Sequence, residues 1–415
     1  MKYRTFCGAL VLACASVCAP AQTVPEKPIR VPAQIDELHE KGSEDLLNLD
    51  YEKAGQTFKE IAALFPDDPT GPLMLASTLW LESLNKARFH QGAIYSTQSF
   101  EANSEDKPDP KVTQEFRDLI RQATQITRTR LQASPHDPRV LFTLGEIETL
   151  HAAYEITIEG RFLAGLRDGS SGVDKHREVI KLDSNFHDAE LTIGLYDYLV
   201  GNLPLAAKMI ANVTGAHGSK RRGLQTLERV ANGGNWGRDN ARLLLMVLYK
   251  HEQRLAESLA LSRSLQDKYP RNYLFKLETA NTLISQAGVE RQASHFAAAD
   301  SLEKEAFGVF ASLIRDESSP GSRRGLGLIH FRYGEDLLSL GQPLSAAQQF
   351  MAAAAAADND SQLITHAHLR SGQSFDLAGK RNEALAEYRI VLSRPNSRNS
   401  LEQARRGLKE PYRGK

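Results

Sequence analysis

From Ile35 to the C-terminus, apolar residues recur at intervals of three and four positions, and many of them are alanine or leucine. This spacing places the apolar residues along one face of an α-helix. The strict alternation of apolar and polar residues that is typical of a half-buried strand is absent from the chain. The hydrophobic pattern therefore predicts an all-α protein.

Clusters rich in proline and glycine interrupt the helical pattern. They lie at residues 65–69, 106–110, 134–138, 168–172, 233–234, 269–272 and 318–322. Proline lacks the amide hydrogen that a helix interior needs, and glycine is common in turns, so we expect a loop at each cluster. The intervening segments are predicted to form helices joined by these loops.

Three stretches repeat one spacing of small and bulky residues. In each, a glycine is followed 12 positions later by an alanine and 4 positions after that by an aromatic residue. The residues are Gly42, Ala54 and Phe58, then Gly334, Ala346 and Phe350, then Gly372, Ala384 and Tyr388. Two antiparallel helices can approach closely only where one of them offers a small side chain. We therefore predict that these nine residues form the packing contacts of stacked helix pairs.

These units resemble tetratricopeptide repeats, and the clearest unit spans residues 361–396. The resemblance implies helix-turn-helix modules that stack into a right-handed superhelix, an α-solenoid. The middle of the chain, roughly residues 150–280, resembles the tetratricopeptide-repeat family 39 proteins and their bacterial relatives. The resemblance rests on residues 194–196, 203–204, 218–223, 241–249 and 268–270. That family offers no assigned catalytic residues to transfer.

The pattern divides the chain into six segments. We expect a signal peptide and an extended leader, then N-terminal repeats, an irregular middle, C-terminal repeats and a basic tail. Their ranges are 1–21, 22–34, 35–135, 136–315, 316–400 and 401–415.

The first 21 residues have the features of a secretory signal peptide. Lys2 and Arg4 precede an apolar run, and the Ala-Pro-Ala tripeptide at 19–21 supplies small residues for cleavage. We therefore expect cleavage before Gln22 and export to the periplasm or the exterior. Two alternatives stay open: an uncleaved anchor, and a lipoprotein attached through Cys14, because the preceding residues loosely resemble a bacterial lipoprotein box.

The composition narrows the function classes. All three cysteines, Cys7, Cys14 and Cys18, lie in the predicted signal peptide, so the mature chain would have no disulfide and no cysteine-ligated metal. The chain has 51 lysine plus arginine residues and 51 aspartate plus glutamate residues. This balance argues against a nucleic-acid partner, which normally selects a basic surface.

The chain also lacks the motifs of common enzymes. HExxH, Walker A and GxSxG sequences are absent. His366 and His368 are two positions apart and so point to different faces of a helix, whereas His187 and Glu190 form only a single pair at suitable spacing. We therefore predict no catalytic residue, no metal ligand and no cofactor.

The tetrapeptide Arg-Arg-Gly-Leu occurs three times, at residues 221–224, 323–326 and 405–408. Guanidinium groups suit carboxylates and phosphates, so doublets lining one groove would favour an acidic partner. The alternative, which we prefer, is that each doublet lies on the solvated side of a helix.

The first helix of each repeat is expected to line a concave groove. In two C-terminal repeats this face is predicted to hold nine residues: Leu328, Phe331, Arg332, Glu335, His366, Leu369, Arg370, Gln373 and Asp376. The mixture of aromatic and oppositely charged residues suits an extended peptide or a partner helix. It lacks the lysine and asparagine pattern with which some tetratricopeptide-repeat proteins clamp chaperone tails.

The sequence therefore predicts an exported, non-enzymatic scaffold that binds a protein or peptide. The alternative is an envelope carrier or assembly factor that handles a lipid or glycan in a tunnel formed by the solenoid. Peripheral association with an envelope membrane stays open under either reading.

Overall fold

A computed structural model describes residues 32–89, 109–203, 217–315, 320–357, 360–397 and 399–414. The predicted signal peptide and most of the predicted leader lie outside these residues. The described residues form seventeen α-helices and one short 3-10 turn at His187–Ala189, with no strand. The helices are α1 (Ala33–Leu47), α2 (Tyr51–Leu64), α3 (Thr70–Phe89), α4 (Pro110–Ala133), α5 (Pro138–Thr157), α6 (Phe162–Leu182), α7 (Glu190–Asn202), α8 (Lys220–Gly233), α9 (Arg238–His251), α10 (Leu255–Lys268), α11 (Tyr273–Gln292), α12 (Phe296–Arg315), α13 (Pro320–Ser339), α14 (Pro343–Ala356), α15 (Ser361–Leu377), α16 (Arg381–Leu392) and α17 (Ser400–Lys409).

Helices that are adjacent in sequence pack against each other along the chain. In addition, several odd-numbered helices contact the next odd-numbered helix, as α11 contacts α13 and α15 contacts α17. From α1 to α5 and from α11 to α17, the odd-numbered helices therefore lie side by side in one layer, with the even-numbered helices packed against them in the other. This arrangement confirms the predicted fold class, an all-α solenoid of stacked antiparallel helix pairs.

Each glycine of the repeated spacing lies against the aromatic ring of its own repeat. A Cβ atom on Gly42 would lie 2.3 Å from Phe58, and one on Gly334 would lie 2.7 Å from Phe350. A Cβ atom on Gly372 would lie 2.8 Å from Tyr388. The alanines Ala54, Ala346 and Ala384 are fully buried between the same helices. Small and bulky residues thus interlock between the two helices of each pair.

Acidic and amide side chains in the loops fix the beginnings of several helices. Asp137 accepts a hydrogen bond from the backbone N–H of Arg139 at the start of α5, at 2.8 Å. Asp360 does the same for Leu363 in α15, at 2.9 Å. Such caps satisfy amide groups that have no partner within the helix. The loops between pairs therefore define where the next pair begins.

The glycine-rich segment 168–172 is helical, so the prediction of a loop there was wrong. It lies inside α6, whose glycines pack against α5. A Cβ atom on Gly165 would lie 2.8 Å from the carbonyl oxygen of Ala152, and one on Gly172 would lie 2.8 Å from that of Gly145. Here glycine permits close contact between two helix backbones instead of a turn.

The first helix pair also contacts a much later part of the chain. The side-chain amide of Asn272 donates to the carbonyl oxygen of Leu47 at 2.6 Å. Arg271 pairs with Asp50 at 2.8 Å and with Asp45 at 3.1 Å, across a separation of more than 220 residues. The array therefore curls far enough to bring its first pair onto the loop between α10 and α11.

Apolar and aromatic contacts reinforce this closure. Leu47 packs against the buried cluster that includes Met246 and Phe275. The ring of His39 stacks on Trp236 with centroids 3.9 Å apart. Burial lowers the pKa of His39 to about 4, which keeps the stacked ring uncharged near neutral pH. The closure is thus a packed interface as well as a set of surface ion pairs.

At the other end, the segment predicted as a basic tail contains α17, which packs on α15 and α16. The chain then continues along α15, where the backbone N–H of Tyr412 donates to Asp376 at 2.8 Å. Among the described residues, no helix has the length and apolar character needed to cross a membrane.

Candidate binding groove

A row of polar side chains follows the odd-numbered helices α9, α11 and α13. The Lys250 ammonium lies 2.5 Å from a Glu278 carboxylate oxygen and also bonds Asn281. Asn281 in turn donates to Asp336 at 2.7 Å. The guanidinium of Arg332 lies 3.9 Å from the other oxygen of Glu278. Consecutive helices of one layer thus share a single network of alternating charge.

Asp336 is the most constrained member of this row. Its side chain is 5% exposed, and its Oδ2 atom has no hydrogen-bond partner in the described part of the chain. Burial raises the pKa of Asp336 to about 6, even though Arg332 and Lys250 act in the opposite direction. A buried carboxylate oxygen without a partner is costly. The position therefore has a hydrogen-bonding capacity that the described residues leave unused.

The row continues from α13 to α15 through a paired arginine and glutamate. Arg370 donates two hydrogen bonds to Glu335, at 2.6 and 2.7 Å, and a third to Gln373 at 2.8 Å. The Arg370 guanidinium also lies 5.7 Å from the centre of the Phe350 ring. The side chains of Arg370 and Glu335 are 24% and 34% exposed, so both are accessible to a partner.

Of the nine residues predicted to line the groove, the structure brings together Glu335, Arg370 and Gln373. A fourth, Arg332, lies beside Glu278 of the same polar row. Leu328 and Leu369 are 0% and 2% exposed and belong to the core, because they face the neighbouring helices rather than solvent. These two residues therefore do not line an open groove.

The remaining three predicted residues also have internal partners. Phe331 is buried and packs edge-on against the ring of Phe350. His366 lies 3.1 Å from the hydroxyl of Ser397, in the loop after α16. Asp376 accepts hydrogen bonds from Arg381 and Tyr388, each at 2.9 Å, and so is turned toward α16.

The sequence analysis missed Lys250, Glu278, Asn281 and Asp336. Three of them lie in the irregular middle, where the repeat spacing did not assign helix faces. Asp336 lies directly beside the predicted Glu335, and two adjacent acids within an otherwise apolar helix face were the available signal.

A concave site separate from this row lies where the loops between successive pairs meet. Its volume is about 270 Å³, and the loops after α2, α6 and α8 contribute to its walls. Inside it, Arg130 pairs with the buried Asp68 at 2.8 Å. The Asp188 carboxylate accepts three backbone N–H groups from residues 235–237, at 2.8 to 3.1 Å. Because these polar groups satisfy one another, the cavity is best explained as a structural junction.

The two arginine doublets whose side chains the structure describes do not line one groove. Arg222 pairs with the buried Asp197 through its Nη2 atom at 2.9 Å. Arg405 and Arg406 are exposed on α17, and Arg406 lies 3.6 Å from Glu402 on the same helix. The side chains of residues 323–324 lie outside the described set. The doublets therefore supply no shared acidic-partner site within the described residues.

Two groups of side chains contain residues of the types that bind metal ions. His187 lies 3.1 Å from Glu190, but Arg229 also donates to Glu190 at 2.5 Å and neutralises it. His151, Glu155 and Asp168 offer three ligand atoms within 4.8 Å of one another, on α5 and α6. Only the second group, within the described chain, combines three suitable side chains.

Some solved structures resemble the chain at low sequence identity, with TM-scores below 0.5. A monomeric mutant of IFIT1 with Gppp-AAAA is 12% identical, with a TM-score of 0.45, over 91% of this chain and 86% of that one. Yeast Tom70 is 10% identical, with a TM-score of 0.35, over 91% and 89%. The human IFIT1 dimer with m7Gppp-AAAA is 13% identical, with a TM-score of 0.28, over 88% and 96%. No protein-family model and no curated protein matches the chain. These values carry no argument about function, and the resemblance of the middle region to family 39 stays a prediction.

Proposed function

We propose that this protein is an exported, non-enzymatic scaffold that binds a protein segment along the inner faces of α9, α11, α13 and α15. The observation that carries the proposal is the polar row from Lys250 to Gln373 along successive helices. A solenoid held together by apolar contacts does not need such a row for its own stability.

The chemistry of the row fits an extended peptide. Positive and negative groups alternate along successive helices, so an extended segment could pair its own side chains and backbone groups with them in register. Arg332, Glu335 and Arg370 are 15%, 34% and 24% exposed, which leaves part of each guanidinium or carboxylate available. The balanced charge of the chain favours a protein partner over a nucleic acid.

The same geometry gives less support to a lipid or glycan carrier. The row is charged rather than apolar. The loop cavity of about 270 Å³ is at the lower limit of small-molecule sites, which usually measure roughly 300 to 1,000 Å³. Export itself rests on residues 1–21, and intact-mass measurement of the protein secreted by its native host would show whether cleavage occurs before Gln22.

The test compares two double variants that each remove one arginine-glutamate pair between neighbouring repeats. Glu335→Ala with Arg370→Ala removes the inner pair, and both charges disappear together so that neither is left unpaired. Arg263→Ala with Glu305→Ala removes an exposed pair between α10 and α12, in the outer layer. Each protein would be crosslinked in its native cell envelope, captured and analysed by mass spectrometry.

We expect the wild type and the outer-pair variant to recover the same one or two dominant envelope proteins, and the inner-pair variant to recover at least ten times less. Circular dichroism would check that both variants are folded. Equal recovery by the two variants would exclude this groove, and a wild type that recovers no protein would exclude the scaffold role.

A further inference from the structure

The helices α5 and α6 approach each other more closely than side chains larger than glycine would allow. Gly165 and Gly172 of α6 lie against backbone carbonyl oxygens of α5, with 2.8 Å between each constructed Cβ atom and the oxygen. Since backbones in contact cannot shift easily, the side chains that flank this contact are held at fixed separations. His151 and Glu155, one helical turn apart on α5, and Asp168 on α6 are three of these side chains.

The ligand atoms of His151 and Asp168 have the spacing of two ligands of one zinc ion. The Nδ1 atom of His151 lies 3.3 Å from the Oδ2 atom of Asp168. Two ligands of a tetrahedral zinc ion are about 3.4 Å apart when each bond is about 2.1 Å long. The ligand atoms of all three residues lie within 4.8 Å of one another. Glu155 is the third residue of this group.

The Glu155 carboxylate supplies an independent indication that this group binds a cation. The residue is 2% exposed, and its Oε2 atom has no hydrogen-bond partner within the described residues. Arg161 lies 3.1 Å from the other oxygen, Oε1. One oxygen of a deeply buried carboxylate is thus held by a cation, while the second lacks the partner that buried polar atoms nearly always have.

We propose that His151, Glu155 and Asp168 bind a divalent transition-metal ion, with Zn²⁺ the best fit. One imidazole and two carboxylates form a nitrogen-and-oxygen donor set that Zn²⁺ accepts at four-coordinate sites. The side chains of His151 and Asp168 are 31% and 27% exposed, so water can reach the ion and occupy a fourth position. The bound ion would join α5 to α6 and strengthen the contact made by the glycines.

The test uses the full chain, purified without a histidine tag and stripped with a chelator. Isothermal calorimetry would measure the binding of Zn²⁺ alone. Hydrogen exchange, with and without the ion, would monitor the thermal unfolding of α5 and α6. We expect one Zn²⁺ per chain and slower exchange in both helices. His151→Ala and Glu155→Gln should each weaken binding by at least about 100-fold, since even loss of an outer-shell partner costs about 10- to 100-fold.

His368→Ala is the matched control, because His368 also pairs with a carboxylate of the neighbouring helix, Glu387, at 2.8 Å. It should leave Zn²⁺ binding unchanged. Asp168→Asn, at a partly exposed position, provides a third variant if the change at the buried Glu155 impairs folding. Absence of stoichiometric binding by the wild type, or equal binding by the His151, Glu155 and Asp168 variants, would overturn the proposal.

Discussion

The interlocking of glycine with an aromatic ring predicts a large effect from a single methyl group at Gly372. The ring of Tyr388 lies between two glycines. A Cβ atom on Gly372 would lie 2.8 Å from Tyr388 Cε1, and one on Gly407 would lie 2.5 Å from Cε2 and Cζ of the same ring. The Tyr388 hydroxyl also donates to Asp376 at 2.9 Å. The ring is therefore blocked on both sides and fixed at its tip.

Gly372→Ala would consequently create a clash that the ring cannot relieve by moving away. Ordinary carbon contacts begin near 3.4 Å, so the new methyl group is about 0.6 Å too close to the ring. Overpacking of this kind costs about 1–3 kcal/mol, from which the better helix propensity of alanine recovers about 1 kcal/mol. Because relief is blocked, we expect a net loss of about 1–2 kcal/mol in the free energy of unfolding of α15 and α16.

Gly308→Ala provides the matched control. Gly308 lies within α12 and is exposed. A Cβ atom at this position would have no neighbouring atom within 4 Å among the described residues. The same substitution should there stabilise the helix by about 0.5–1 kcal/mol. Hydrogen exchange of peptides from each repeat is the appropriate assay, because solenoids unfold locally and a single global transition is not assured.

A second variant separates the clash from any general weakness of the repeat. Tyr388→Leu removes the ring, so adding Gly372→Ala to it should cost at least about 1 kcal/mol less than adding it to the wild type. The reasoning would be refuted if Gly372→Ala and Gly308→Ala changed stability in the same direction, or if the two effects at Gly372 and Tyr388 were additive.

Two further predictions concern the groove and the closure of the array. The folded-state pKa of Asp336 is raised from 3.8 to about 6, so the folded protein holds a proton that the unfolded chain loses, and stability falls as pH rises through this window. Asp336→Asn should remove this loss and raise the free energy of unfolding by about 3 kcal/mol at pH 8, with little change near pH 4. Urea unfolding of α11 and α13, followed by hydrogen exchange, would measure this difference. Identical pH profiles for the variant and the wild type would contradict the assignment. Asn272→Ala removes both the cap of α11 and the bond to α1, so it should destabilise the first pair by about 1–2 kcal/mol. Arg271→Ala, at the exposed ion pairs beside it, should cost about 0.2–1 kcal/mol; equal exchange rates in α1 for the two variants would count against a packed closure.

The repeated glycine, alanine and aromatic spacing was sufficient to predict the helix pairs, because the contacts it encodes lie within one repeat. Gly334 meets Phe350 only 16 positions later in the chain. Glycine was also the reason why the prediction of a loop at residues 168–172 was wrong. Glycine is favoured in turns and at close helix contacts alike, and the sequence of α6 alone does not show that α5 lies against it.

The groove was predicted only in part for a related reason. Helix spacing places Arg332 and Arg370 on the predicted groove face of their own helices. It cannot show which part of each face is covered by a neighbouring helix. Leu328 and Leu369 share the predicted face and are nevertheless buried by their neighbours. Burial of that kind depends on the angle between successive pairs, which is set by side chains of three helices at once.

The closure changes how stability is distributed along the array. In an open solenoid each repeat contacts only its neighbours, so the loss of one repeat affects those beside it. Here Asn272 and Arg271 connect α1 and its loop to the start of α11, the helix that carries Glu278 and Asn281 of the polar row. Helices α2 to α10 therefore lie within a loop whose two ends are joined, and opening any repeat among them strains that junction. A metal ion between α5 and α6 would act inside this closed part, so it would support one end of the groove without contacting a groove residue.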